Sequence, residues 1–376
     1  MRKVGIVTWY WGNYGSILQA YALQQTVESL GYECDVIKHH VTENRRKQIK
    51  YRFKHNGVLN TIRYYFSQGT SKFAGHRDKE RNKRISILDE FLNEKLKLSE
   101  KRYDNSDYKH CNGYDIYISG SDQVWNPDHT FLSEFYWLNF AEPTAKKIAY
   151  APSIGNPRLF DEDKAKIKKY LGAFAAISVR EALGTDIING ILGEDRVVTM
   201  TDPTMLVPVD EWEAVLPEKT VSSPYMFAYI LRDTEEQRKY IKETAKSMGL
   251  RLIVYPSLEQ STGAECWGDV NIFDDNPFDF LNRIREADVV ITDSFHCSVF
   301  SLLFHKCFYV MKKAGRESSQ FLRLEHLLSS CGVINRVIDI HSTITKDMYD
   351  CNKVDSTIAV EREKGLKYLK EALRTQ

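Results

Sequence analysis

The segment Asp288-Val289-Val290-Ile291-Thr292-Asp293-Ser294-Phe295-His296-Cys297 carries the sharpest chemical signal in the chain. An apolar run of strand character stops at short polar side chains, and His296 follows where a helix, predicted over 298–304, begins. An imidazole that can transfer a proton, set beside the unpaired N–H groups of a helix start, suits a reaction that develops negative charge. The plainer reading is a His that only caps the helix. A second strand end, Ser119-Gly120-Ser121-Asp122-Gln123-Val124-Trp125-Asn126-Pro127, offers Asp122 as a base toward a hydroxyl nucleophile and Trp125 as a platform for a sugar face. Asp122 could instead cap the turn that follows.

Between the first strand and the first helix lies Trp9-Tyr10-Trp11-Gly12-Asn13-Tyr14-Gly15-Ser16, where backbone N–H groups favour an anion or a polar ligand. It is not the Gly-x-Gly-x-x-Gly of a dinucleotide site, and no acidic residue ends the second strand at the distance such a site needs. The Asn13 amide suits sugar hydroxyls; a tight turn packed with rings is the alternative. Arg180 follows another strand, and Arg232, Lys312, Lys313, Arg316 and Arg323 follow strands or open helices further on. Each alone reads as a surface charge. Together they describe a site for a small, multiply charged anion, because guanidinium forks match carboxylate and phosphate oxygens.

The elements that must position these groups repeat one theme of strand, Gly-containing loop and amphipathic helix. A strand at 4–7, a helix over 15–30 closed by Gly31 and a strand at 34–37 make the first βαβ unit. Strands are predicted at 114–118, 148–150, 176–179 and 197–200. A second series at 225–231, 251–255, 270–273, 287–292 and 307–311 alternates with helices opening at Glu235, Pro277, Ser298 and Ser318, and a charged helix over 356–373 closes the chain. Pro203, Pro208 and Pro224 mark the linker. The expected fold is α/β, with two Rossmann-like lobes facing a central cleft at the carboxyl ends of their strands. The expected division is an N-terminal lobe over 1–207, with a basic insert over about 38–97 that is helical in its second half, a C-terminal lobe over 208–345 and a final helix over 346–376.

Composition narrows the function classes. The 376 residues carry 52 Lys and Arg against 51 Asp and Glu, so the whole chain lacks the basic excess of a nucleic-acid binder. The insert is the exception, with 14 basic and three acidic residues between Lys38 and Arg84. Seven scattered cysteines with no Cys-x-x-Cys pair fit a reducing cytoplasm better than a disulfide framework. Gly12, Asn13 and Gly15 break any signal-peptide core, and no apolar run reaches the ~20 residues of a membrane span.

In order and spacing these pieces resemble the polysaccharide pyruvyl transferase family over almost the whole chain. The matching residues are Asn-Tyr-Gly-Ser-Ile-Leu-Gln-Ala-Tyr-Ala-Leu at 13–23, the stretches 119–127 and 149–155, Ser178-Val179-Arg180-Glu181, Asp202-Pro203-Thr204, 292–296, and Arg323 followed by Leu327-Leu328. The resemblance implies an architecture similar to the GT-B glycosyltransferases. It also implies transfer of pyruvate from phosphoenolpyruvate, as co-substrate and without a metal or other cofactor, onto two sugar hydroxyls as a ketal in capsule or exopolysaccharide biosynthesis. His296 is then the expected acid and Asp122 the base. Arg180, Ser294, His296, Lys312, Arg316 and Arg323 are the expected donor contacts, on the C-terminal side. Asn13, Tyr14, Ser119, Asp122 and Trp125 are the expected acceptor contacts, on the N-terminal side. In one departure, Cys297 puts a thiol where the family's Ser-x-His-Gly has Gly, at a point where Gly lets a ligand approach closely.

Two other readings fit the same architecture: a nucleotide-sugar glycosyltransferase, with Glu265 or Asp269 for the ribose, and a non-catalytic glycan-binding protein. The insert interleaves its charge with Tyr51, Phe53, Tyr64, Tyr65, Phe66 and Phe73. That mixture reads either as a solvated helical face or as a surface resting on anionic headgroups. The resemblance favours the second, because acceptors of this family are often sugars on a polyprenyl diphosphate lipid. The expected location is cytoplasmic, with peripheral membrane contact.

Overall fold

The computed structural model describes residues 2–69, 75–155, 158–219, 223–231, 233–256, 266–312 and 319–374. Phe73, Arg232, Glu265, Lys313 and Arg316, named above, lie outside the described residues. β1 (Lys3–Val7) runs through a short turn into α1 (Tyr14–Ser29) and on to β2 (Glu33–Val36). Asn13 starts α1 by accepting the Ser16 N–H on its side-chain oxygen at 2.9 Å, and Gly31, at φ 90°, follows its end. β3 (His39–His40) and β4 (Tyr103–Asp104) pair beside the lobe. Between them the insert forms α2 (Arg45–Gly69) and α3 (Gly75–Lys95). Both halves of the insert are therefore helical, not only the second. The apolar period of α2 is cut at Gly57, where φ is 77° and the helix is interrupted.

β5 (Ile116–Ser119), α4 (Pro127–Thr130), β6 (Lys146–Ala149), α5 (Asp161–Leu171), β7 (Phe174–Val179), α6 (Ala182–Leu192) and β8 (Val197–Thr199) complete the first lobe. Its sheet is parallel throughout, in the order β2-β1-β5-β6-β7-β8. After α7 (Val209–Val215) the second lobe runs through β9 (Tyr225–Tyr229), α8 (Glu235–Ser247), β10 (Arg251–Val254), β11 (Val270–Asn271), α9 (Pro277–Glu286), β12 (Val289–Thr292), α10 (Phe295–Leu303), β13 (Cys307–Met311), α11 (Ser319–Ser330) and β14 (Val337–Ile338). Its order, β11-β10-β9-β12-β13-β14, is again parallel throughout. Helices cover both faces of such sheets, which is why β5, β9, β12 and β13 are buried at every residue and read as unbroken apolar runs.

Two helices begin earlier than the sequence pattern predicts. α10 starts at Phe295, not at 298, because the Ser294 hydroxyl accepts the Cys297 N–H at 3.5 Å and caps it, drawing His296 into the first turn. α12 (Cys351–Leu373) starts at an Asp350 cap and crosses back to the first lobe. There the Tyr368 hydroxyl donates to the Ala149 carbonyl at 2.8 Å and Arg362 Nε to the Met205 carbonyl at 3.0 Å. Among the described residues no helix is long and apolar enough to cross a membrane.

One apolar core runs through both lobes, joining α1 to α9 and α10. Arg84 of α3 reinforces that junction. Only 6% exposed, it donates to the carbonyls of Pro256, Ile272 and Phe273 at 3.0, 2.8 and 3.4 Å. The basic insert is thus also a strap to the second lobe. Arg84→Ala should cost about 3 kcal/mol and loosen the lobes, because three buried carbonyls lose a charged donor. Arg84→Lys should recover little of this, since a point charge cannot address three acceptors at once. Denaturant midpoints together with the solution radius of gyration check both expectations.

Candidate active site

Strand ends from both lobes open into one cleft of about 320 Å³. Asn13 and Ser16 reach it from the turn after β1 and the start of α1, Asp122 from the turn after β5, Ser294, Phe295 and His296 from the end of β12, and Arg323 from α11. Parallel topology places all these loops on the same edge of their sheets, so residues far apart in sequence converge.

His296, 7% exposed, lies between two neighbours. Its Nε2 is 3.5 Å from Asp202 Oδ2, an ion-pair distance not closed into a hydrogen bond. Its other edge rests on Gly15, where an added Cβ would stand 2.7 Å from the ring Cγ and closer still to Nδ1. Asp202 also accepts from Arg180 Nη1 at 2.6 Å and from the Thr204 N–H and hydroxyl at 3.0 and 2.7 Å. Burial alone would raise the Asp202 carboxyl, but His296, Arg180 and the Thr204 N–H outweigh it and hold it far below the usual carboxylate range. Asp202 therefore stays ionised and fixes both the ring and the guanidinium.

The cations differ in how well they are neutralised. Arg180, 3% exposed, faces Asp202, Glu181 at 3.5 Å and Asp122 at 3.9 Å. The Phe295 ring lies 4.7 Å from its guanidinium and 5.8 Å from that of Arg323. Arg323 is 7% exposed and its Nε has no hydrogen-bond partner. Among the described residues no carboxylate comes within ion-pair distance of it. Burial and the repulsion of Arg180 push its guanidinium down to about 10. A buried cation in this condition favours an anionic ligand.

Asp122 takes a left-handed backbone, φ 60°, and accepts the Ser16 hydroxyl at 2.7 Å. Burial would raise its carboxyl, yet Arg180, His296, Arg323 and Ser16 hold it below the usual Asp range. It is ionised but a weaker base than a free carboxylate. It caps no helix: Asn126 caps α4 by accepting the Asp128 N–H at 3.0 Å.

The cleft thus brings together His296, Asp122, Arg323, Ser294 and Asn13, with Arg180 held by Asp202 behind the Phe295 ring. The Asn13 oxygen is committed to its cap, which leaves the amide nitrogen for a ligand. Four other expected residues stand elsewhere. Trp125 is fully buried, stacked on Trp137 at 4.4 Å, with Nε1 donating to Ser119 Oγ at 2.9 Å and the Tyr136 carbonyl at 3.1 Å. Ser119 is equally buried and donates to the same carbonyl at 2.6 Å. Tyr14 is an interlobe pin: its ring stacks on Phe280 at 4.6 Å and its hydroxyl donates to the Asp275 carbonyl at 3.0 Å. Lys312 is exposed outside the cleft lining, its ammonium 5.9 Å from the Phe321 ring. The aromatic wall is made instead by half-buried Trp9 and Trp11, 6.0 Å apart, with His129 set edge-on to Trp9 at 6.2 Å. Asp202, absent from the expected contacts, is the residue that holds both His296 and Arg180, and its Asp-Pro-Thr run after a strand is the signal that points to it.

Cys297 does not narrow the cleft. Its side chain packs in the apolar core, where burial pushes the thiol up to about 12.

Gly15→Ala should therefore strike the imidazole directly. The new methyl must displace the ring, at a stability cost of about 1–3 kcal/mol, and turnover should fall by at least about tenfold. Steady-state kinetics alongside a melting curve check the pair, and unchanged turnover would mean that the ring position is not critical.

Comparison with known proteins adds the following. No curated protein matches the sequence. Among solved structures, the S. aureus MnaA–UDP co-structure aligns at 11% identity and TM-score 0.49, over 99% of this chain and 91% of the other. The UDP-GlcNAc 2-epimerase from Neisseria meningitidis bound to UDP-GlcNAc aligns at 8% and 0.44, over 100% and 95%. The glycosyltransferase SnogD from Streptomyces nogalater aligns at 13% and 0.41, over 97% and 95%. Residues 13–312 match the family pattern described as polysaccharide pyruvyl transferase, a span that takes in Asn13, Asp122, Arg180, Asp202, Ser294 and His296 but not Trp9, Trp11 or Arg323. The chain belongs to the polysaccharide pyruvyl transferase family and is a transferase.

Proposed function

We propose that this protein moves the pyruvyl group of phosphoenolpyruvate onto two hydroxyls of one sugar, forming a ketal on a capsule or exopolysaccharide precursor carried on a polyprenyl diphosphate. The observation that carries the reading is Arg323, a buried guanidinium on the wall of the cleft that has no carboxylate partner among the described residues, backed by Arg180. A donor with a carboxylate and a phosphate would supply the missing negative charge. In the first step a proton adds to the vinyl carbon while one sugar hydroxyl bonds to the adjacent carbon and gives up its own proton. In the second, another hydroxyl of the same sugar bonds to that carbon, phosphate leaves with its bonding pair, and the hydroxyl proton departs.

His296 is suited to deliver the first proton, since its ring lines the cleft with Nε2 facing Asp202, which orients it. Asp122, held ionised, orients the attacking hydroxyl and receives its proton only as the new bond forms. Trp9 and Trp11 offer the flat apolar wall on which a sugar ring can lie. The seven cysteines are all free thiols, which supports a reducing compartment such as the cytoplasm.

The test is to incubate the protein with phosphoenolpyruvate and a glycan mixture, following inorganic phosphate and product mass. Phosphate release that needs both substrates, with a glycan gaining pyruvate less one water, is the expected result. Glycan-independent release, or glycosyl transfer from a nucleotide sugar instead, would overturn the reading.

A further inference from the structure

We propose that the outer face of α2 is a docking surface for an anionic lipid bilayer. Among the described residues Leu59 and Val58 are the two most exposed large apolar side chains, at 79% and 60%, with Ile62 at 42% and Phe53 at 39% beside them. They flank Gly57, where the helix is interrupted. One turn earlier Arg46, Lys50 and Phe53 fall at i, i+4 and i+7, share one stripe of the helix and are all exposed. Lys47 and Lys54 are paired, with Glu43 and Glu162. Among the described residues no carboxylate pairs with Arg45, Arg46 or Lys50.

The fold does not need this face. The opposite side of α2 anchors the helix: the His55 ring stacks on Tyr51 at 3.7 Å and contacts Asp163 at 2.8 Å through Nε2, while Arg52 lies 5.2 Å over Phe131. Folding therefore leaves an apolar tip and an unneutralised basic stripe together in water. An anionic bilayer satisfies both, the tip entering the headgroup boundary and the stripe resting on phosphates. A second copy of the chain would bring like charges face to face across a two-fold contact, and a nucleic acid would leave the apolar tip unsatisfied.

This proposal stands on the insert and not on the chemistry of the cleft. Its test is flotation of the full chain with phosphatidylcholine vesicles, with and without phosphatidylglycerol, at low and high salt, with size-exclusion chromatography in parallel. Wild type should float with the anionic vesicles at low salt and be released at high salt. Val58→Asp with Leu59→Asp, and separately Arg46→Glu with Lys50→Glu, should each reduce the bound fraction by at least about tenfold at unchanged melting temperature. Equal flotation of wild type and both variants would overturn it, as would no flotation of wild type at low salt. A wild-type dimer made monomeric by the Val58 and Leu59 changes would also overturn it, assigning the face to self-association.

Discussion

His296→Ala is expected to lower kcat by roughly 10²–10⁴-fold, the range lost with a positioned proton donor, while the protein still folds and melts near the wild-type temperature. The ring stands at the head of α10 between Asp202 and the α1 backbone, so its removal opens space on the cleft side and leaves the apolar core untouched. Asp202 keeps its bonds to Arg180 and Thr204 in the variant, so no buried carboxylate is stranded. Phosphoenolpyruvate affinity, read by ligand-induced thermal shift, should change far less than kcat if Arg323 is the cation that holds the donor, as proposed. His296→Gln should not restore turnover, since an amide fills the space without transferring a proton. Near-wild-type turnover in either variant would remove His296 from the chemistry.

Arg323→Met should produce two opposite effects. Phosphoenolpyruvate affinity should fall roughly ten- to a hundredfold, as a charge-assisted contact of about 1.5–3 kcal/mol is lost. The ligand-free protein should become more stable, by about 1 kcal/mol or more, because an unneutralised buried cation gives way to an apolar side chain of similar volume. The sign follows from its titration: the folded value near 10 lies below the ordinary 12.5, so folding disfavours the charged form. That cost is present at every pH below about 10 and is relieved above it, or at neutral pH by a bound anion. Wild type should thus gain melting temperature on adding phosphoenolpyruvate or inorganic phosphate, and the variant should not. Arg180→Met should behave differently, losing about 3–5 kcal/mol, because it strands Asp202 as a buried charge. A ligand-free Arg323→Met protein less stable than wild type would show that Arg323 supports the fold and not a ligand.

The contrast between these two arginines marks where sequence reading stops. Both follow the logic of cations near strand ends and helix starts, and nothing in their local sequence says that Arg180 is held by Asp202 while Arg323 has no carboxylate partner among the described residues. That difference depends on contacts with residues 22 positions away in one case and on the absence of such contacts in the other. Trp125 and Ser119 teach the same lesson from the opposite direction. Their motif leaves a strand toward the cleft as expected, but the turn brings Asp122 and Gln123 there and stacks the buried indole on Trp137. Trp9 and Trp11 read as turn packing and prove to be the cleft wall.

By itself the sequence determined the alternation of parallel strands and helices, the two lobes, the cleft at their strand ends and the family. It also placed Asp122 and His296 at the same cleft, because apolar runs and short polar turns fix which edge of a parallel sheet each loop occupies, while Arg323, inside α11, was marked by the family resemblance. Only the tertiary structure decided which polar groups are neutralised and which are left facing the cleft. Burial and charge pairing depend on neighbours brought from distant parts of the chain, as when Ser16 meets Asp122, Gly15 meets His296 and Arg84 reaches the second lobe, and no local pattern encodes those distances.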